Sequence, residues 1–142
     1  MNRTDTLLRL KRFRVDEMKR RIASIEAMRV DMERKLTDLD DSVAREKQRA
    51  GDSDIGRLAF PSFLRAIDAR RENLRTTLKE IEREQAAAQL DLTDAFQDLK
   101  ALEIAAEQQA KRVAEMQTRR SQARLDEMAL VRHLRKHTLR SA

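Results

Sequence analysis

His133 and His137 are the residues whose spacing first suggests chemistry. Four apart on a helix, they share one face, and two imidazoles so placed could supply two ligands to a metal ion. A third ligand is needed and none stands near. Arg132, Arg135 and Lys136 surround the pair and repel a cation. The ordinary reading is a helix C-terminus whose cations offset the helix dipole. Other chemistries fail in turn. There is no cysteine, so neither thiol catalysis nor a disulfide framework is available. No Gly-x-x-x-x-Gly-Lys-Ser/Thr loop is present to cradle phosphates, and no serine has a credible histidine partner. The sequence therefore predicts a protein that is not an enzyme, with no catalytic, cofactor-binding or metal site.

The elements that would carry such residues are plain in the patterning. Phe60, Ile67, Leu74, Ile81, Ala88, Ala95, Leu102, Met116, Ala123 and Leu130 recur every seven residues, with Gln109 as the one interruption. A second series from Leu64 to Leu134 is broken by Arg71, Gln85, Arg120 and Glu127. The first third has its own pair of seams. One runs Leu8, Val15, Ile22, Arg29, Leu36, Val43, and the other Lys11, Met18, Ile25, Met32, Leu39, Glu46. A spacing of 3.5 residues keeps one seam facing a partner helix, which is the signature of a coiled coil. The long second segment would be a rod of roughly 110 Å at about 1.5 Å per residue. Charged residues make up 39% and aromatic residues 3%. That composition buries a narrow aliphatic stripe and builds no compact aromatic core.

Both glycines and the only proline fall between Gly51 and Pro61. Gly51 suits a left-handed helix cap, and Pro61 suits a first helical turn. Thr4 or Asp5 can cap the start of the chain. The expected fold is all-α: two long helices in an antiparallel coiled-coil hairpin with an overhanging C-terminal helix. Residues 1–142 form a single coiled-coil domain, with a helix over about 5–50, a turn over 51–59 and a helix over about 60–137. The heptad phase is unbroken across the gap, so a continuous helix in a parallel dimer is the alternative. In the hairpin Leu8 lies opposite roughly residue 102 by this geometry. Met116, Ala123, Leu130 and Leu134 would then stand on a lone helix whose apolar stripe needs another cover.

Charge is polarised. Residues 1–22 carry +5, residues 110–142 carry +6 and the middle carries −5. A hairpin places both basic segments toward one end. Such a pole either aids solubility or docks electrostatically into an acidic partner. Nucleic acid is not the expected partner, because no Tyr or Trp stacking platform and no recognised basic-region pattern exists. No apolar run approaches the length of a membrane span, so no transmembrane segment is expected.

With these features in place, the chain resembles the FliJ family of the flagellar type III export apparatus. The resemblance rests on Phe63-Leu64-Arg65-Ala66-Ile67-Asp68 after the turn, on Leu99-Lys100-Ala101-Leu102-Glu103 further on, and on Leu92 and Ala95 between them. It implies a non-enzymatic stalk and adaptor. Its partners would be a hexameric flagellar export ATPase, whose assembly and activity it promotes, the cytosolic domain of the export gate, and export chaperones. It implies a cytoplasmic protein, peripheral at the inner-membrane base of the apparatus. Phe63, Ile67, Leu74 and Leu39 match gate-binding positions; Ser42 and Glu46 stand where the family often has tyrosines. Arg9, Lys11, Arg12, Met116, Arg120, Leu130 and Leu134 are the candidate ring-docking residues, from the basic pole and the overhang. A stalk of a virulence-type secretion system, a self-associating structural coiled coil, and a basic helix for nucleic acid or anionic membrane are the competing functions.

Overall fold

A computed structural model of the chain describes residues 2–141. Two helices account for nearly all of it. Helix α1 spans Arg3–Ala50 and helix α2 spans Asp54–Ser141. At about 1.5 Å per residue they extend about 70 Å and about 130 Å. They pack against each other along the length of α1.

The cap of α1 is Asn2, two positions before the nearer of the expected candidates. Its Oδ1 accepts from the Asp5 N–H at 2.8 Å, which satisfies one of the orphan donors of the first turn. The turn is also tighter than expected. Only Gly51, Asp52 and Ser53 separate the helices, and α2 starts at Asp54. Ser53 caps it, its Oγ accepting from the Gly56 N–H at 2.9 Å. Pro61 consequently sits inside the helix instead of in its first turn. There it removes the bond its N–H would have given to the Arg57 carbonyl, a defect tolerable where the backbone faces solvent.

The two glycines exchange roles. Gly51 is right-handed, with φ −66° and ψ −20°, so the expected left-handed cap is absent. Gly56 is the constrained one. A Cβ there would meet the Ser53 Oγ at 2.8 Å and the Ala50 Cα at 3.1 Å. The close return of α2 past the end of α1 favours a residue without a side chain at that point.

Every buried residue except Ala50, at the end of α1, stands in one of the seam series. Val15 packs with Ala95 and Leu99, and Ile25 packs with Ile81 and Ala88. Leu39, Ala50 and Ile67 complete the buried set. Cross-helix partners ascend in α2 as they descend in α1. Asp40 binds Arg71 at 2.6 Å, Glu26 binds Gln85 at 2.8 Å, and Lys11 lies 3.8 Å from Asp98. Arg12 lies 3.7 Å from Glu103. The last residue with any burial is Ala106; from Glu107 to Arg140 every residue is exposed.

Polar residues that interrupt the seams within the packed length of the hairpin find partners. Arg71 reaches Asp40 and Asp68. Arg29 binds Glu26 and Glu33 of its own helix, and Gln85 donates to Glu26 across the seam. Hydrogen bonds from Arg29 and then Gln85 hold the Glu26 carboxyl below its ordinary range. The carboxylates around Arg29, Glu26 foremost, hold its guanidinium more firmly protonated still. Polar residues inside a seam select one register, because a slip would leave them unpaired.

Candidate docking surfaces

The four residues matched to gate binding divide between core and surface. Leu39 and Ile67 are buried between the helices. Leu74 is half-buried and shares a shallow groove with Leu39, Lys35, Asp38, Ser42 and Arg70. Phe63 lies one level nearer the turn. It is half-buried and stacks on Phe60 with ring centroids 6.4 Å apart and planes 23° apart. Phe60 and Phe63 line a second groove with Glu46, Arg49, Ala50 and Ser53. A partner reaching this face would meet Phe63 and Leu74 at the surface, with Ile67 and Leu39 supporting them from beneath.

The candidate ring-docking residues fall at the other end. Arg9 and Arg12 are exposed near the start of α1, and Lys11 is half-buried beside Asp98. Met116, Arg120, Leu130 and Leu134 are all exposed on the unpaired part of α2. They continue the seam of α2 beyond the level at which α1 begins. The Arg20 guanidinium lies 6.0 Å from the Phe13 ring centroid, so this end also combines cations with apolar surface.

Sequence patterning left other exposed apolar residues unassigned. Ile55 and Leu58 project beside the turn at 81% and 82% exposure. Leu7, Leu10 and Phe13 of α1 and Phe96 and Ile104 of α2 are exposed as well. All are off the heptad seams, where a scan for seam residues does not look. Their apolar character at outward positions was the signal available.

His133 and His137 are both exposed on the unpaired helix. Among the described residues, no group of three or more His, Cys, Asp or Glu side chains is placed to hold a metal ion. No helix of the described residues is long and apolar enough to cross a membrane.

The family described as Flagellar FliJ protein matches residues 1–138. Two curated relatives, each named Flagellar FliJ protein and from two strains of Caulobacter vibrioides (NA1000 / CB15N and ATCC 19089 / CIP 103742 / CB 15), are each 27% identical over 128 residues. Those matches cover 89% of this chain and 91% of each relative. No solved structure matches the chain.

Proposed function

The chain belongs to the flagellar FliJ family, and on that premise we propose that it is a non-enzymatic stalk and adaptor of flagellar protein export. Membership supports a role related to flagellar export and brings no catalytic family with it. The finer reading is mechanical. The chain acts as an antiparallel coiled-coil hairpin whose overhanging C-terminal helix, together with the basic start of α1, inserts into a hexameric export ATPase and promotes its assembly and activity. The turn end reaches the cytosolic domain of the export gate through Phe63 and Leu74, and the shaft hands over export chaperones. Such a protein works in the cytoplasm at the inner-membrane base of the apparatus.

One observation carries this reading. Residues 107–140 form a helix with no cover, yet the seam runs on through Val113, Met116, Leu130 and Leu134. A long lone helix with an apolar stripe gains little from its own backbone bonds and is stabilised mainly by packing. A partner that covers the stripe supplies that packing. The +6 charge of residues 110–142 favours an acidic partner and disfavours a second copy of the same segment.

Sedimentation of the chain mixed with its purified export ATPase tests the reading. A complex of one chain with six ATPase subunits is the expected result. A chain that sediments apart from the ATPase as a defined dimer would replace the stalk with a self-associating coiled coil.

A further inference from the structure

Residues 107–140 of α2 are exposed on every side and extend about 50 Å at about 1.5 Å per residue. Successive residues turn by about 100° around the helix axis. From Val113 to Leu139, every large apolar residue except Leu125 therefore falls within one half of the helix surface. Met116, Leu130 and Leu134 lie toward one edge of that half, Met128 and Leu139 toward the other, and Val131 between them. These side chains form one surface. A shallow concavity at Met128 and Val131 adjoins a second at Val131, Leu134 and Leu139, and Arg135 borders both.

The same half is positively charged. Arg112, Arg120, Arg124 and Arg135 stand on it against Glu127 alone, while Glu115 and Asp126 stand on the other half. Among the described residues, Arg120, Arg124 and Arg135 make no ion pair, in contrast to Arg29 and Arg71 on the packed length of the hairpin. Their guanidinium groups are open to an external anion. A coiled-coil partner meets a narrow seam of two positions per heptad and keeps charges to its flanks. Here arginines stand inside an apolar face half the circumference wide. Arginine stems cover apolar surface while the charged heads reach outward. A helix with a broad apolar face, many cations and low overall hydropathy lies in the plane of a membrane interface. No helix of the described residues is apolar enough to cross a membrane, so this one would lie on it.

We propose that the overhang, when the ATPase does not hold it, lies on an anionic lipid surface. The half centred on Val131 meets the acyl-chain boundary and its arginines reach lipid phosphates. Leu125, Glu115 and Asp126 face water. Charge complementarity selects this occupant. Residues 110–142 carry +6, and the exposed Arg9 and Arg12 stand near the base of the overhang. Basic segments are drawn to surfaces rich in anionic headgroups. A second copy of the chain would set +6 against +6 over residues 110–142. Nucleic acid would take the charges and leave the apolar face in water. The inference goes beyond the stalk reading and does not rest on it, since a lipid surface needs no other protein.

The test is sedimentation of the full chain with two kinds of vesicle, one of phosphatidylcholine alone and one of equal parts phosphatidylglycerol and phosphatidylcholine. The chain is expected to bind the anionic vesicles and not the neutral ones, and to bind less as salt is raised. L130Q with L134Q keeps the charge and stays close in helix propensity. It is expected to bind at least about tenfold more weakly, through lost apolar burial. R124Q with R135Q is expected to weaken binding too, and L125Q to bind like the wild type. Circular dichroism of each variant checks helicity. A wild type that does not bind anionic vesicles overturns the proposal. Binding that L130Q with L134Q leaves unchanged would be adsorption by charge alone and overturns it, as would a loss with L125Q as large as with the pair. A dimer of the free chain that L130Q with L134Q abolishes would assign the face to a second copy. Short duplex DNA bound more tightly than the vesicles would assign it to nucleic acid. Either result overturns the proposal. None of these outcomes decides ATPase binding, which is measured without lipid.

Discussion

Gln85 stands in the seam of α2 and gives its amide to Glu26 of α1, 2.8 Å away. Glu26 accepts in turn from Arg29, the residue that interrupts the seam of α1. Two breaks in the apolar pattern, on different helices, thus close on one carboxylate. Few arrangements of the two helices satisfy all three groups, so the cluster specifies register more than it adds stability.

That carboxylate predicts a pH dependence. The pKa of Glu26 is lowered in the folded chain, by Arg29 first and Gln85 second. Its contribution to stability is therefore complete above the unfolded value, which is near 4.5, and is lost as pH falls through the lower folded value. Thermal melts followed by circular dichroism are expected to show wild type and E26Q separated by a constant gap from pH 7 down to about 5. The gap closes below that. A gap unchanged at about pH 3 would mean the carboxylate is not preferentially stabilised by folding.

The turn makes opposite predictions for its glycines. Gly51→Ala meets only ordinary contacts, at 3.4 Å and 3.9 Å, in a right-handed conformation. It is expected to be neutral or to stabilise by about 0.4–1 kcal/mol through the unfolded state. Gly56→Ala is expected to destabilise, because its Cβ would crowd the Ala50 backbone at 3.1 Å and displace the Ser53 cap. Loss of that cap alone costs about 1 kcal/mol. Denaturant melts of the two variants check the order.

Ala88 is 1% exposed and packs with Ile25 and Ile81. Ala88→Leu forces extra volume into this packed seam and is expected to cost about 1–3 kcal/mol. Ile25→Ala opposite it is expected to cost about 2–5 kcal/mol through the cavity it leaves. Urea denaturation measures both. A leucine at residue 88 that raises stability would show a looser seam than the packing describes.

Much of the fold was legible because a coiled coil writes its core at fixed intervals. Apart from Ala50, each buried residue, from Val15 and Ile25 to Ala95 and Leu99, stands in a series visible from spacing alone. The turn was harder to read. Gly51 and Pro61 carry strong local signals, but the close approach that binds Gly56 to Ala50 exists only once the helices return on each other. The start of α2 was misplaced for the same reason: Ser53 makes a better cap than Pro61 makes a boundary. At the candidate sites, spacing identified the seam residues Met116 and Leu134. It passed over Leu125 and Met128, which are exposed and stand off the seam.

Phe63 separates docking from folding near the turn. It is half-buried against Phe60, so Phe63→Ala is expected to lower gate-domain binding by about tenfold with little change in helicity. Calorimetry with the cytosolic gate domain and circular dichroism of the variant check it. Unchanged affinity would remove Phe63 from the gate surface.

The most direct measurement is the turnover rate of the purified export ATPase titrated with the full chain at fixed salt. A stalk within a hexamer predicts stimulation that saturates at about one chain per six ATPase subunits and weakens as ionic strength screens the basic pole. Turnover that stays flat across the titration, with the chain present as a dimer, would contradict it.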